Sequence, residues 1–363
     1  MPNLTFVIGI PGSGATVVGQ TSAKVSGALL EHIPEKNDPK SFSALLRNIE
    51  NTLRKGQDVW LLGSVRTEKQ RRPFLSVASK LHVKTRAILV DVPLDQALLR
   101  LKDNESVNFE FVKRADRHLQ IPTYSEGFTH IEAMLQDADV DEEARDFFRG
   151  KEKELIEDPV AVIRELQQDG RLFRFIPEYR GTIGLDQHNP HHSYEVFEHI
   201  LKAASFVAGS NLKMVWTMLL HDIGKGYPGI KQFLGRFCES YPPFSAGEQV
   251  LIENGEAIRK GTDSGDTYVV RGIRVPKQYI QTDLVGHFYD HENIGARLAL
   301  RILFRLGYGN AFAYEVASLI RYHMTMPRNT SEVPAEQLSR WYKRVGRYAP
   351  ELMMVRLADN RGK

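Results

Sequence analysis

The segment LLHDIGKG (Leu219–Gly226) sets His221 and Asp222 side by side at the end of an apolar run, just ahead of Gly-Lys-Gly. An imidazole and a carboxylate drawn into an interior need partners, because an unpaired buried polar group costs folding free energy. A divalent cation satisfies both at once. Donors of the same kind lie far off in sequence: His199 in SYEVFEHIL, His287 and His291 in GHFYDHENIG, His323 in LIRYHM and Asp359 in VRLADNRG. Each stands beside apolar residues, so each is expected to face inward. One such histidine alone is more often a satisfied core or surface residue than a ligand. The joint occurrence of His199, His221, Asp222, His291, His323 and Asp359 is what argues for metal. His287 reads equally as a ligand or as the neighbour of one. Imidazoles with carboxylates suit Mn, Fe, Co, Ni or Zn better than Ca or Mg alone. A bound ion lowers the pKa of its water towards ~7 and polarises a phosphoryl oxygen, and two ions ~3.5–4 Å apart can hold the attacking and leaving oxygens together. Lys225 reads either as a partner for phosphate charge or as a helix C-terminal cation. His191 and His192 are candidates for substrate binding or proton donation.

A second candidate opens the chain. FVIGIPGSGATVVG carries G-x-x-x-x-G at Gly9–Gly14, between an apolar run and a helical pattern. A phosphate-cradling loop of this kind continues with Lys and Ser/Thr, the Lys reaching the β/γ oxygens and the hydroxyl holding Mg. Here Ala15 replaces the Lys and Thr16 is kept. Gly9, Gly12, Ser13, Gly14 and Thr16 remain candidate phosphate contacts, because a helix N-terminus attracts an anion. The bland alternative is that the glycines only make a tight turn.

These residues need elements to carry them. The chain has 363 residues, which suits two domains rather than one. With 42% hydrophobic and 26% charged residues it can bury a core and is not disordered. Lys+Arg (48) and Asp+Glu (45) nearly cancel, so a general polyanion coat is excluded while local basic patches are not. The one cysteine, Cys238, excludes an intramolecular disulfide framework and any multi-cysteine metal site. No apolar run is long enough to span a membrane, and the first residues lack a signal-peptide pattern, so a cytoplasmic protein without a membrane partner is expected. Short apolar runs at Leu4–Ile8, Val59–Leu62 and Ala87–Val92 alternate with helical patterns at Pro39–Lys55 and Lys69–Leu81, which predicts an α/β domain with a parallel sheet over 1–136. The charged stretch 137–160 reads as a solvated helix or linker. Helical periodicity at Ala161–Leu166, Val196–Val207, Met214–Leu220, Ile294–Leu306 and Glu315–Tyr322 predicts an all-α domain over 161–363. It is interrupted at 227–285, where Asp263-Ser264-Gly265 followed by an alternating run predicts a hairpin-bearing insertion.

The spaced donors, with GRLFRFIPEYRGTIGLDQHNPHHSYEVFEHIL, resemble the HD phosphohydrolase superfamily over roughly 165–363. The likeness is strongest to the HD domains of some tRNA nucleotidyltransferases and of polynucleotide end-healing enzymes. It implies an all-α metal site built from His199, His221-Asp222 and Asp359, with His291 and His323 as the extra histidines of two-metal members, activating water against a phosphoester. The glycine loop with VWLLGSVRTEKQRRPFLSVASKL, AILVDVPLDQALLRLKDN and IPTYSEGFTHIEAM resembles the polynucleotide-kinase-like branch of P-loop kinases over about 3–135. The departures are systematic. Ala15 lacks the Lys, Gly63-Ser64-Val65 replaces an acidic position, no acid is evident after the second strand, and Arg100 alone matches a lid arginine. The resemblance therefore implies a kinase-dead fold, with ATP at the loop not expected.

Together these readings predict metal-dependent hydrolysis of a phosphoester on a nucleotide or an RNA or DNA end. A 2′,3′-cyclic phosphate or 2′-phosphate at RNA ends is preferred. The competing readings are a dNTP or cyclic-nucleotide hydrolase, a non-catalytic nucleic-acid or partner-binding module, and a kinase whose loop Lys was removed by design. Basic clusters at Arg66, Lys69, Arg71 and Arg72, at Lys113, Arg114 and Arg117, and at Arg340, Lys343, Arg344 and Arg347 read as solvated faces or as a phosphate-contacting track. Trp341 and Tyr342 could add stacking to such a track. Phe233, Phe237 and Tyr241 are expected to pack.

Overall fold

A computed structural model describes residues 1–35, 38–327 and 333–363. Contacts divide the chain into two compact units, each drawn from two stretches. The first comprises Met1–Lys151 and Ala296–Arg356, and the second Glu152–Gly295 and Leu357–Lys363.

The first unit holds a five-stranded parallel sheet, β1 (Asn3–Ile8), β2 (Leu29–Ile33), β3 (Val59–Gly63), β4 (Lys84–Asp91) and β5 (His130–Leu135), in the order β2-β3-β1-β4-β5. Apolar runs buried on both faces dictate central strands, and Leu4, Phe6, Ile8, Val59, Leu61, Ala87 and Leu89 are buried throughout. Thr5 pairs with Trp60 on one side and Arg86 on the other. The glycine loop therefore leaves the carboxyl end of the central strand, where open parallel sheets bind ligands. Helices Asn310–Tyr322 and Ala335–Val345 belong to this unit. Arg321, on the first of these helices, pairs with Glu126 at 2.6 Å, and the helix His291–Arg305 adds Arg297 with Asp116 at 2.6 Å and Arg301 with Asp91 at 3.2 Å.

The charged stretch after β5 is not a bare linker. Asp141 caps a helix at Glu142–Gly150, accepting from the Ala144 amide at 3.0 Å, and a second helix follows at Glu152–Glu157. The first buries Ala144 and Phe148, and the second buries Leu155.

The second unit is largely helical, with helices at Pro159–Gln168, Val196–Ser205 and Leu212–Leu220. Asp158, Glu195 and Asn211 cap their first turns through side-chain oxygens. Tyr179, Phe197 and Trp216 are fully buried, and the Tyr179 hydroxyl donates to the Leu219 carbonyl at 2.6 Å. The segment before the histidine-rich C-terminal part is more elaborate than a hairpin. β6 (Lys231–Phe237) pairs antiparallel with β7 (Gln249–Ile252) on one edge and with β10 (Ile280–Gln281) and β11 (Gly286–Phe288) on the other. The predicted hairpin is β8 (Thr267–Val270) with β9 (Ile273–Pro276). It turns at Arg271-Gly272, both at positive φ, while Asp263 ties the Gly265 amide just before it. Phe233 and Phe237 lie in the core of this sheet, with Tyr241 packed against it, as expected.

Candidate functional site

The Leu212–Leu220 helix ends with His221 at its C-cap. There the His221 Nδ1 faces the Met218 carbonyl at 2.8 Å. A ring nitrogen facing a carbonyl oxygen must carry the hydrogen, which leaves Nε2 as the lone-pair nitrogen. His291 opens the helix His291–Arg305, with its Nδ1 on the Phe288 carbonyl at 2.7 Å. His323 closes the helix Asn310–Tyr322 in the first unit, with its Nδ1 on the Ile320 carbonyl at 2.6 Å. The same i to i−3 bond thus fixes one tautomer in three histidines. Carbonyl partners of this kind orient metal-binding imidazoles.

His199, on the helix Val196–Ser205, reaches the same tautomer by another route, its Nδ1 facing the Gly362 carbonyl at 3.1 Å. Its Nε2 then lies 3.2 Å from the Nε2 of His221, 3.2 Å from an Asp222 oxygen and 3.1 Å from an Asp359 oxygen. His199, His221, Asp222 and Asp359, all buried, offer four donor atoms within 4.8 Å of one another. Two imidazole lone pairs and two carboxylates cannot face each other in a dry interior without a cation among them. Lys225 Nζ stands 2.7 Å from Asp222 Oδ2 and Lys363 Nζ 3.2 Å from Asp359 Oδ2, and a proton or a metal ion can supply further positive charge. Burial opposes protonation of His199, yet its hydrogen bonds to Asp222 and Asp359 push the imidazole up to about 9. Burial would likewise raise both carboxyls. The Lys225 ammonium and His221 hold Asp222 well below the usual range, and His199 and His221 do the same for Asp359.

Asp222 presents its two oxygens to different partners. Oδ2 faces His199 and His221, whereas Oδ1 lies 3.2 Å from the Nε2 of His291. Lys225 is buried, donating to Asp222 Oδ2 at 2.7 Å and to the Gln187 side chain at 2.8 Å. The Gly-Lys-Gly sequence is explained by close approach. A Cβ on Gly224 would lie 2.0 Å from the His291 carbonyl oxygen, and Gly226 abuts Gly181.

His192 presents its ring edge-on to His199, centroids 5.3 Å apart, and its buried Nδ1 has no hydrogen-bond partner among the described residues. Burial, reinforced by Lys225, presses its pKa down to about 3. A neutral imidazole there keeps one ring N–H as a donor and one lone pair as an acceptor. His191 is exposed on the same loop, its amide held by the Asn189 side chain. His287 is not part of the donor set. Its ring stacks on Tyr289 at 5.4 Å and lines a cavity of about 450 Å³ with Arg236 and Gln281. Gln187, which holds Lys225, escaped the sequence reading because an uncharged amide among histidines gives no signal.

In the glycine loop, Gly12 and Gly14 adopt φ of 85° and 88°, open to glycine and strained for other residues. Gln136 donates to the Ser13 carbonyl at 2.6 Å. Arg100 donates to the Gly12 carbonyl at 3.3 Å and to Gln136 at 2.6 Å, so it braces the loop itself. Gly9 packs its Cα face against Ser13 Oγ and the Val90 carbonyl. The helix Ala15–Ser26 starts directly afterwards, with Thr16 in its first turn. Acids do follow β2. The Glu35 carboxylate takes the Arg66 guanidinium, and Asp38 caps the helix Pro39–Arg54.

The first basic cluster is only in part a solvated face. Arg66 is buried, and Arg71 is fully buried, paired with Glu126 at 2.7 Å and donating to the Val65, Arg66 and Gln120 carbonyls. Trp341 packs inside with its Nε1 on the Thr325 hydroxyl at 3.2 Å, so it is not an exposed stacking ring. Among the described residues, no helix is long and apolar enough to cross a membrane.

No family model matches the chain. A stretch of 98 residues is 33% identical to the bifunctional uridylyltransferase/uridylyl-removing enzyme of Ruegeria pomeroyi, covering 21% of this chain and 11% of that enzyme.

Proposed function

We propose that the chain is a metal-dependent phosphohydrolase of the HD type acting on nucleotide or nucleic-acid phosphoesters, with a 2′,3′-cyclic phosphate or 2′-phosphate at an RNA end as the preferred substrate. The observation that carries it is the meeting of His199, His221, Asp222 and Asp359, with the Nε2 of both imidazoles turned inward. The partial likeness to an enzyme named for uridylyl removal supports the reaction class. A uridylyl group is attached through its phosphate, so taking it off cleaves a phosphoester.

In this reading His199, His221, Asp222 and Asp359 would hold a divalent ion, and His291 beside Asp222 would be available to a second. His323 would be a further ligand on its sequence pattern and tautomer. When bound, a divalent ion supplies an acidified water and charge neutralisation. The residues do the rest. Lys225 holds Asp222 in its ionised, oriented form. Neutral His192 offers substrate a hydrogen-bonding nitrogen at the edge of the site. Gln187 keeps the Lys225 ammonium aimed at the carboxylate.

The test is metal analysis of the purified protein with a screen of free nucleotides and phosphorylated oligonucleotides in Mn, Ni, Co and Mg. Metal-dependent release of phosphate from, or opening of, RNA 2′,3′ ends is expected. Turnover of free nucleotides but of no oligonucleotide would sink the end-processing assignment. Absence of metal binding would sink the whole reading.

A further inference from the structure

We propose that the first unit carries a phosphate-binding pocket, formed where basic residues from two distant segments meet, that takes the phosphates of a nucleic-acid strand or of a free nucleotide. Arg72, from the helix Glu68–Leu81, lines a cavity of about 480 Å³ together with Arg340, Lys343 and Arg344, from the helix Ala335–Val345. The two segments are tied by Arg344 and Glu68, 276 positions apart and 3.1 Å distant. Leu75 gives the pocket an apolar wall.

The charge balance is lopsided. Glu68 is shared by Arg72 at 3.3 Å, Arg321 at 2.9 Å and Arg344 at 3.1 Å. Glu126 is shared by Arg71 and Arg321. Four guanidinium groups thus divide two carboxylates between them. Arg340 pairs with Glu336, and Lys343 has no carboxylate partner among the described residues. Arg72 and Arg344 keep most or nearly half of their side chains exposed at the opening. The whole chain carries only +3, so this excess is local. A phosphate answers it better than a single carboxylate does, because it brings more acceptor oxygens and up to two charges to guanidinium forks that bind it bidentately. The volume lies within the ~300–1,000 Å³ of ordinary ligand sites. None of this depends on the metal site.

The experiment uses the full chain and a labelled single-stranded RNA oligonucleotide, with affinity read by fluorescence anisotropy at about 50 and about 200 mM salt. Parent protein should bind, and more weakly at the higher salt. Reversing Arg340→Glu and Lys343→Glu together should weaken binding about ten-fold or more and lower the salt slope by about 1–2, while metal content and Tm stay unchanged. If that double variant does not fold, Lys343→Gln replaces it and should still lose affinity. Competition assigns the source. Displacement by AMP or inorganic phosphate at matched phosphate concentration points to a free nucleotide, and displacement by unlabelled strand alone points to nucleic acid. Unchanged affinity in the charge variants would overturn the proposal. So would a poly-glutamate peptide that competes as well as the oligonucleotide, which would make the pocket a carboxylate-peptide site.

Discussion

The glycine loop and the histidine-aspartate cluster are ordered by different means, the one by its backbone and the other by its side chains. The loop keeps its backbone: Gly12 and Gly14 hold positive φ, and Arg100 and Gln136 brace the carbonyls. What it lacks is the charged side chain, since Ala15 stands where a phosphate loop needs Lys. The cluster keeps its side chains, with four buried donors in reach of one another and their tautomers fixed. Backbone geometry survives wherever neighbouring packing needs it, as when Gly12 presses against the Ala97 carbonyl. Buried imidazoles and carboxylates survive only where something repays their desolvation. A buried meeting of donors is therefore stronger evidence for chemistry than a glycine turn.

The sharpest way to break this contrast is to remove a donor. Asp222→Ala deletes the carboxylate whose two oxygens face different histidines and leaves the Lys225 ammonium buried without its charge partner. Loss of bound metal and of hydrolysis should exceed the ~10–100-fold typical of changes one shell further out. Metal analysis and turnover together check it; full metal content with full activity would remove the cluster from the mechanism. Gln187→Leu, one shell out from Asp222 through Lys225, should fall within that ~10–100-fold range.

Acid should separate the two regions next. Burial would raise the Glu126 carboxyl, but Arg71 and Arg321 bring it down to about 2. A carboxyl depressed in the folded state stabilises above its unfolded value of about 4.5 and loses that contribution as pH falls towards 2. The expected loss is about 3 kcal/mol over that window, at 1.36 kcal/mol per unit. Chemical denaturation against pH, with Glu126→Gln as control, should show that the variant lacks this acid-dependent step. An identical pH profile would mean that the ion pair contributes nothing to stability.

Smaller again is Gly224→Ala, whose new Cβ would lie 2.0 Å from the His291 carbonyl oxygen. Overpacking of this kind costs about 1–3 kcal/mol. Tm should fall, and metal affinity should fall with it, because the displaced backbone carries His291. An unchanged Tm would show that the Gly-Lys-Gly spacing serves something other than close packing.

What the sequence made legible follows from where the signal lies. Central strands announce themselves as unbroken apolar runs, and β1, β3 and β4 were predicted on that basis. The edge strands β2 and β5, LLEHI and HIEAML, are half exposed and mix charge with apolar residues, so no pattern marks them. The converging donors were legible because histidine and aspartate among apolar residues need an explanation. Buried arginines were not, because the carboxylate that makes burial of Arg71 tolerable lies 55 positions away in Glu126. The sheet built on β6 escaped because its strands are short and joined through long loops, and only the β8–β9 hairpin carries its turn locally.

Least of all should change when the loop is given back its lysine. If Ala15 were the only defect, Ala15→Lys would restore ATP-dependent phosphorylation of a polynucleotide 5′ end. The surroundings argue against that. The acids that follow β2 are spent, Glu35 on Arg66 and Asp38 on capping the helix Pro39–Arg54. Arg100 is committed to the Gly12 carbonyl and Gln136 rather than aimed outward. A lysine there adds one positive charge at a helix N-terminus, where such an anion site gains about 1 kcal/mol or less from dipole-scale electrostatics. Nucleotide affinity measured by calorimetry should therefore rise by less than about ten-fold, with no phosphoryl transfer, no change in metal content and no change in hydrolysis. Transfer of labelled phosphate from ATP by the single variant would show that one side chain, and not the loss of a whole constellation, separates this loop from a working kinase.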